Sequence, residues 1–143
     1  MAAIDSGFFE REITPIKLPN GETVSGDDGP RRGSTVEAVG ELKPVFRPDG
    51  RVTAGNACPL NDGAAAVIVM SDEKAKQFGI TPLARVVSST VSALNPEIMG
   101  LGPVESVSKL LARTGKSIDD IDVVEINEAF AAQVIPSMRT LGI

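Results

Sequence analysis

Few side chains in this sequence are equipped for covalent chemistry. There is one cysteine, Cys58, and no histidine in 143 residues. Without an imidazole base, neither a serine nor a cysteine can be activated in the usual Ser-His or Cys-His manner. No lysine or arginine sits beside Cys58 to lower its pKa, so it reads as a small packing or contact residue rather than a nucleophile. The same counts exclude an internal disulfide and a metal site of the Cys/His kind, and no metal is expected.

Asn127 is the most suggestive polar residue. It opens Asn127-Glu-Ala-Phe, where the apolar run Ile121–Ile126 ends and a helical pattern begins. That is the carboxyl end of an expected sheet strand, the edge at which α/β proteins place their sites. An asparagine there can cap the helix, and its amide can also hold a water or donate to a developing oxyanion; the two roles are compatible. The stretch Gly55-Asn-Ala-Cys-Pro-Leu-Asn-Asp-Gly-Ala-Ala-Ala-Val is short on side chains, which permits close approach either of a ligand or of another backbone segment. Arg31 and Arg32 form the one paired basic site in a turn-rich region, and a guanidinium suits a phosphate or an adenine ring.

The elements that must hold these residues alternate in type. Glu12–Lys17 and Glu22–Ser25 flank the Asn20-Gly21 turn and read as a hairpin. Ser34 to Leu42 reads as a helical stretch with Ser34 as its cap, stopped by Pro44. Ala64–Met70 is a continuous apolar run of the kind buried on both faces of a sheet. Ser71 can cap a helix from Asp72 to Phe78, with Gly79 as its stop. Leu83–Val91 reads as a strand, followed by a helix from about Pro103, with Val104, Val107, Leu110 and Leu111 on one face and Gly115 past its end. Ile121–Ile126 is a strand, and Ala129–Leu141 a helix with Phe130, Val134, Met138 and Leu141 at helical spacing. Strand and helix in alternation predict an α/β layer with mostly buried strands.

Composition narrows the partners. Hydrophobic residues make up 42% and charged residues 23%, as in a folded chain rather than a disordered one. The net charge of −5, with no long basic run, argues against nucleic acid. No stretch of ~18 apolar residues and no basic leader followed by an apolar run is present, so a cytoplasmic protein without a membrane segment is expected.

Three segments taken together, Val52-Thr-Ala-Gly-Asn-Ala-Cys-Pro-Leu-Asn-Asp-Gly-Ala-Ala-Ala-Val, Ile98-Met-Gly-Leu-Gly-Pro and Val124-Glu-Ile-Asn-Glu-Ala-Phe-Ala-Ala-Gln, closely resemble the thiolase family in order and spacing. The resemblance extends over essentially the whole chain and includes Lys43-Pro-Val-Phe. It implies a portion of the α/β thiolase fold, a mixed sheet covered by helices, incomplete at both ends. Residues 1–53 would be the later part of the loop domain covering coenzyme A, 54–80 the last strand and helix of the N-terminal half, and 81–143 the first half of the C-terminal domain.

Thiolases form or cleave 3-ketoacyl-CoA by ping-pong acyl transfer that uses a nucleophilic cysteine, a histidine and a second cysteine. The resemblance places none of the three here, since Cys58 falls where relatives have a small polar residue lining the coenzyme A tunnel. What it carries over is a supporting shell. Asn127 matches the asparagine that fixes an oxyanion-hole water. Ala129 and Phe130 match positions beside the pantetheine, Met99 a methionine on the acyl pocket, and Arg31 a residue near the adenine-phosphate end. Leu42, Ala54 and Cys58 match tunnel-lining positions. The implied ligand is an acyl-CoA thioester, with coenzyme A as substrate and no bound cofactor, and the implied assembly is a homodimer or homotetramer. Cys58-Pro59 and Leu94–Met99 are similar to degradative members, and the chain alone is expected to be inactive. The alternative is a non-catalytic coenzyme-A or lipid-binding or subunit-interaction module.

Overall fold

The computed structural model describes all residues, Met1–Ile143, as two compact units, Met1–Leu42 and Lys43–Ile143.

In the first unit, α1 (Ala2–Asp5) leads into a 3-10 turn at Phe8–Arg11. The expected hairpin is present and short. β1 (Ile16–Lys17) pairs antiparallel with β2 (Thr23–Val24), Ile16 opposite Val24. Asn20 holds the turn: its Oδ1 accepts the Glu22 N–H at 3.0 Å, and Gly21 takes the left-handed φ of 92° that the turn requires. α2 (Val36–Gly40) is shorter than the sequence pattern suggested and is capped by Thr35, whose hydroxyl accepts the Ala38 N–H at 3.2 Å. Ser34, the expected cap, instead donates to the Arg31 carbonyl. Adjacent Ser and Thr are equivalent candidates in sequence, and the backbone turn at Arg31–Ser34 decides between them.

In the second unit, α3 (Asp72–Gln77) begins at Ser71, whose Oγ accepts the Lys74 N–H at 3.3 Å, and is followed by Gly79 at φ 65°. Its Ala75 is the one buried apolar residue of the chain. A 3-10 segment, Pro96–Leu101, kinks at Ile98 and runs directly into α4 (Gly102–Thr114), which has Pro103 in its first turn and Gly115 at φ 65° beyond its end. α5 (Ala131–Leu141) packs on both. It contains Pro136, which has no N–H to donate to the preceding turn, while Ser137, fully buried, donates its Oγ to the Gln133 carbonyl.

The expected buried strands are not strands within this chain. Ala64–Met70, Leu83–Val91 and Ile121–Ile126 take part in no ladder, and apart from the Ile121 N–H, which donates to the Ile118 carbonyl at 3.1 Å, none of their backbone groups bonds to another backbone group. Their apolar side chains stand open, with Ile68 88% and Val86 77% exposed. The physical reason is that a strand needs a neighbour to pair with, and these runs do not pair with one another. Leu83–Val91 is anchored from one side only. Thr90 and Ser92 donate to the Ser106 and Gly102 carbonyls at 2.7 and 2.8 Å, and Arg113 donates to the Ser89 carbonyl at 2.6 Å.

Two tests follow from these contacts. A Cβ at Gly100 would lie 2.8 Å from Gln133 Cγ and 2.9 Å from its Cβ, so Gly100→Ala should destabilise the second unit by about 1–3 kcal/mol, read from the urea midpoint. In the first unit, Arg32 pairs with Asp5 through its two terminal guanidinium nitrogens, Nη1 and Nη2, and holds that carboxyl below its ordinary value. A lowered folded pKa means that the pair's contribution is present above the unfolded value and lost as pH falls through the folded one. Arg32→Gln should therefore raise the Asp5 midpoint in a carboxyl NMR titration; an unchanged midpoint would show that the pair does not form in solution.

Candidate functional site

The small-residue loop after Arg51 owes its shape to one side chain. Asn56 Oδ1 accepts the Thr53 N–H at 2.9 Å, and its Nδ2 donates to the Arg51 carbonyl at 2.8 Å. The Thr53 hydroxyl accepts the Gly55 N–H at 3.2 Å, and Thr53 is itself buried. The loop is thereby fixed before it meets anything else.

It meets the segment leading into α5. The Cys58 N–H donates to the Ala129 carbonyl at 3.0 Å, the Ala131 N–H donates to the Asn56 carbonyl at 2.9 Å, and Ala57 stands opposite Phe130 in an antiparallel bridge. The Phe130 ring lies edge-on to Phe46, with centroids 6.3 Å apart. Phe46 also lines an open cavity of about 340 Å³ together with Arg47, Asp49, Gly50, Arg51 and Val52.

The third segment joins through α5. Gly100 rests against the Cβ and Cγ of Gln133, so the turn bearing Met99 is seated on the first turn of the helix. All three segments singled out in the sequence therefore meet around residues 129–133.

The candidate residues fall into three groups. Cys58, Ala129 and Phe130 lie at the bridge, with Ala54 four residues upstream in the same loop. Met99, 74% exposed, is carried by the turn beside Gln133. Arg31 and Leu42, both exposed, belong to the first unit.

Asn127 corrects one expectation. It is not a helix cap, because α5 starts at Ala131 rather than Ala129, with Phe130 in the cap position. Phenylalanine has no acceptor, so the helix entry relies on Gln133, whose Oε1 reaches back to the Phe130 N–H at 3.5 Å. The Asn127 amide is exposed and makes no hydrogen bond within the chain. It is free to act on something else.

Sequence reasoning passed over Asn56, Phe46 and Gln133. An asparagine after glycine signals a turn and gives no sign of which carbonyl it will hold. The i to i+3 spacing of Phe130 and Gln133 was available as half of a capping box, and the expectation that the helix began earlier hid it.

The comparisons decide the family. Residues 1–73 match the family model for the thiolase N-terminal domain, and residues 80–143 match that for the thiolase C-terminal domain. The chain belongs to the thiolase family. It is 51% identical to an acetyl-CoA acetyltransferase of Pseudomonas aeruginosa over 99% of its own length and 37% of that relative. It is 48% identical to a beta-ketoadipyl-CoA thiolase of Pseudomonas putida, again over 99% of its length and 36% of the relative. Among solved structures it superposes on the dimeric peroxisomal thiolase of Saccharomyces cerevisiae with a TM-score of 0.92 and 43% identity. It superposes on human mitochondrial 3-ketoacyl-CoA thiolase in complex with CoA with a TM-score of 0.87 and 45% identity, covering 99% of this chain and 36% of that one. The chain thus spans a little over a third of the length of these thiolases, and its fold is the corresponding portion of the α/β thiolase fold. No helix is long and apolar enough to cross a membrane.

A double-mutant cycle tests the aromatic contact at the site. Phe46→Leu and Phe130→Leu should show a coupling of about 0.5–1 kcal/mol in urea unfolding, and additivity would mean that the rings do not interact.

Proposed function

We propose that the polypeptide carrying these residues is an acyltransferase that forms or cleaves 3-ketoacyl-CoA, moving an acyl group to or from coenzyme A. The observation that supports it most is the convergence of three segments, Val52–Val67, Ile98–Pro103 and Val124–Gln133, on one backbone bridge, beside an exposed and unpartnered asparagine amide. In this reading Asn127 holds the water that donates to the thioester oxygen, and Ala129 and Phe130 flank the pantetheine. Met99 faces the acyl group, Ala54, Cys58 and Leu42 line the tunnel, and Arg31 meets the adenine-phosphate end.

The proposed division of the chain is 1–53 for the coenzyme-A-covering loop domain, 54–80 for the end of the N-terminal half and 81–143 for the start of the C-terminal half. The proposed assembly is a homodimer or homotetramer, and the proposed setting is cytoplasmic fatty-acid β-oxidation. The 143-residue chain alone does not turn over in this reading. It has no imidazole to serve as a base for its single cysteine.

Asn127 separates this function from a merely structural one. Because its side chain bonds to nothing in the chain, Asn127→Ala should leave the urea midpoint unchanged. In the complete polypeptide it should lower kcat for acetoacetyl-CoA thiolysis by roughly 10²–10³-fold, the effect of removing one oxyanion donor. A drop in stability with unchanged kcat would reject the assignment. Cys58→Ser should retain turnover, whereas abolition of turnover would overturn the reading of Cys58 as a mere tunnel-lining residue.

A further inference from the structure

Gln133 belongs to none of the site positions above, yet contacts from three residues, Gly100, Phe130 and Ser137, meet on it. Its Cβ and Cγ carry Gly100, the neighbour of Met99, close enough that no side chain fits between them. Its Oε1 faces the Phe130 N–H at 3.5 Å, and its own N–H donates to the Phe130 carbonyl at 3.0 Å. Its carbonyl accepts the Oγ of Ser137, which is fully buried. The side chain thus spans two segments of different origin, the 3-10 turn Pro96–Leu101 and the bridge strand at Phe130.

We propose that Gln133 is a positioning residue for acyl-CoA binding: it fixes the turn bearing Met99 and the bridge bearing Phe130 in one register, and so sets the width of the acyl pocket between them. This rests on the reading that Met99 and Phe130 line the acyl and pantetheine subsites. The chemistry needed from the side chain is specific. A methylene stem packs flat on a glycine, and an acceptor at its end turns back to a backbone N–H that has no helical partner. Leucine supplies only the stem, and serine only a shorter acceptor. Glutamate supplies both.

Two measurements separate this proposal from the function it rests on, each made in the longest polypeptide that carries these residues natively. In hydrogen exchange, Gln133→Ala should speed the amides of Cys58 and Ala131 by about fivefold to tenfold while leaving the mid-helix amides of α4 unchanged. In steady-state kinetics with acetoacetyl-CoA, Gln133→Ala should raise KM by about tenfold with kcat within about twofold. Gln133→Glu, which keeps both stem and acceptor, should restore KM to within about threefold of the parent. Unchanged exchange at Cys58 and Ala131, or an effect confined to kcat with KM untouched, overturns the positioning role. A parent protein with no turnover of any 3-ketoacyl-CoA overturns the acyltransferase reading instead, and the exchange result still decides whether Gln133 holds the two segments together.

Discussion

Two backbone hydrogen bonds, Cys58 N–H to the Ala129 carbonyl and Ala131 N–H to the Asn56 carbonyl, set what the second unit can be. They tie a loop with no regular structure to the entrance of a helix, and everything the site needs is referred to that tie. The pairing accepts a small residue, Ala57, opposite a large one, Phe130, because the side chains leave the plane in which the backbone groups bond. The loop must also arrive already shaped. Asn56 does this by occupying the Thr53 N–H and the Arg51 carbonyl, which would otherwise be left to solvent or to competing turns.

Around that tie the unit is thinly packed. Ala75 is the sole buried apolar residue, and the polar Ser137 and Thr53 are the other buried ones, with Ser137 alone fully covered. The cohesion visible in the structure is therefore largely polar and local. It consists of hydroxyls returned to helix carbonyls, helix caps, and the three side-chain bonds that lay Leu83–Ser92 against α4. Each such bond contributes on the order of 1 kcal/mol net, and none replaces a hydrophobic core. The apolar side chains of Val67, Ile68 and Val69 remain largely exposed and add nothing to that cohesion.

How much of this was legible in the sequence depends on how local each feature is. The Ser71 cap, the Gly79 and Gly115 stops, Pro103 in a first turn and the Asn20-Gly21 hairpin are decided within a few residues, and all were readable. The family was also readable, because three spaced motifs constrain each other. The strands failed for a physical reason: alternation and apolarity express a demand for burial but do not name the neighbouring strand. The start of α5 failed differently. Asn127 is a better cap than Phe130 by propensity, and tertiary engagement of residues 129–131 in the bridge outweighs that preference. At the site, the motifs could name Ala129 and Phe130, while Gln133 and Asn56 became visible only through what they touch.

The bridge between Ala57 and Phe130 also has an entropic meaning. Its partners are separated by roughly seventy residues, so closing it carries a loop-entropy cost that α3, α4 and the 3-10 turns do not face. The helices are closed by contacts a few residues apart, whereas this tie alone joins the loop after Arg51 to the entrance of α5. Opening the bridge separates the loop at Asn56–Cys58 from the segment at Ala129–Ala131 without breaking any hydrogen bond inside α3, α4 or α5.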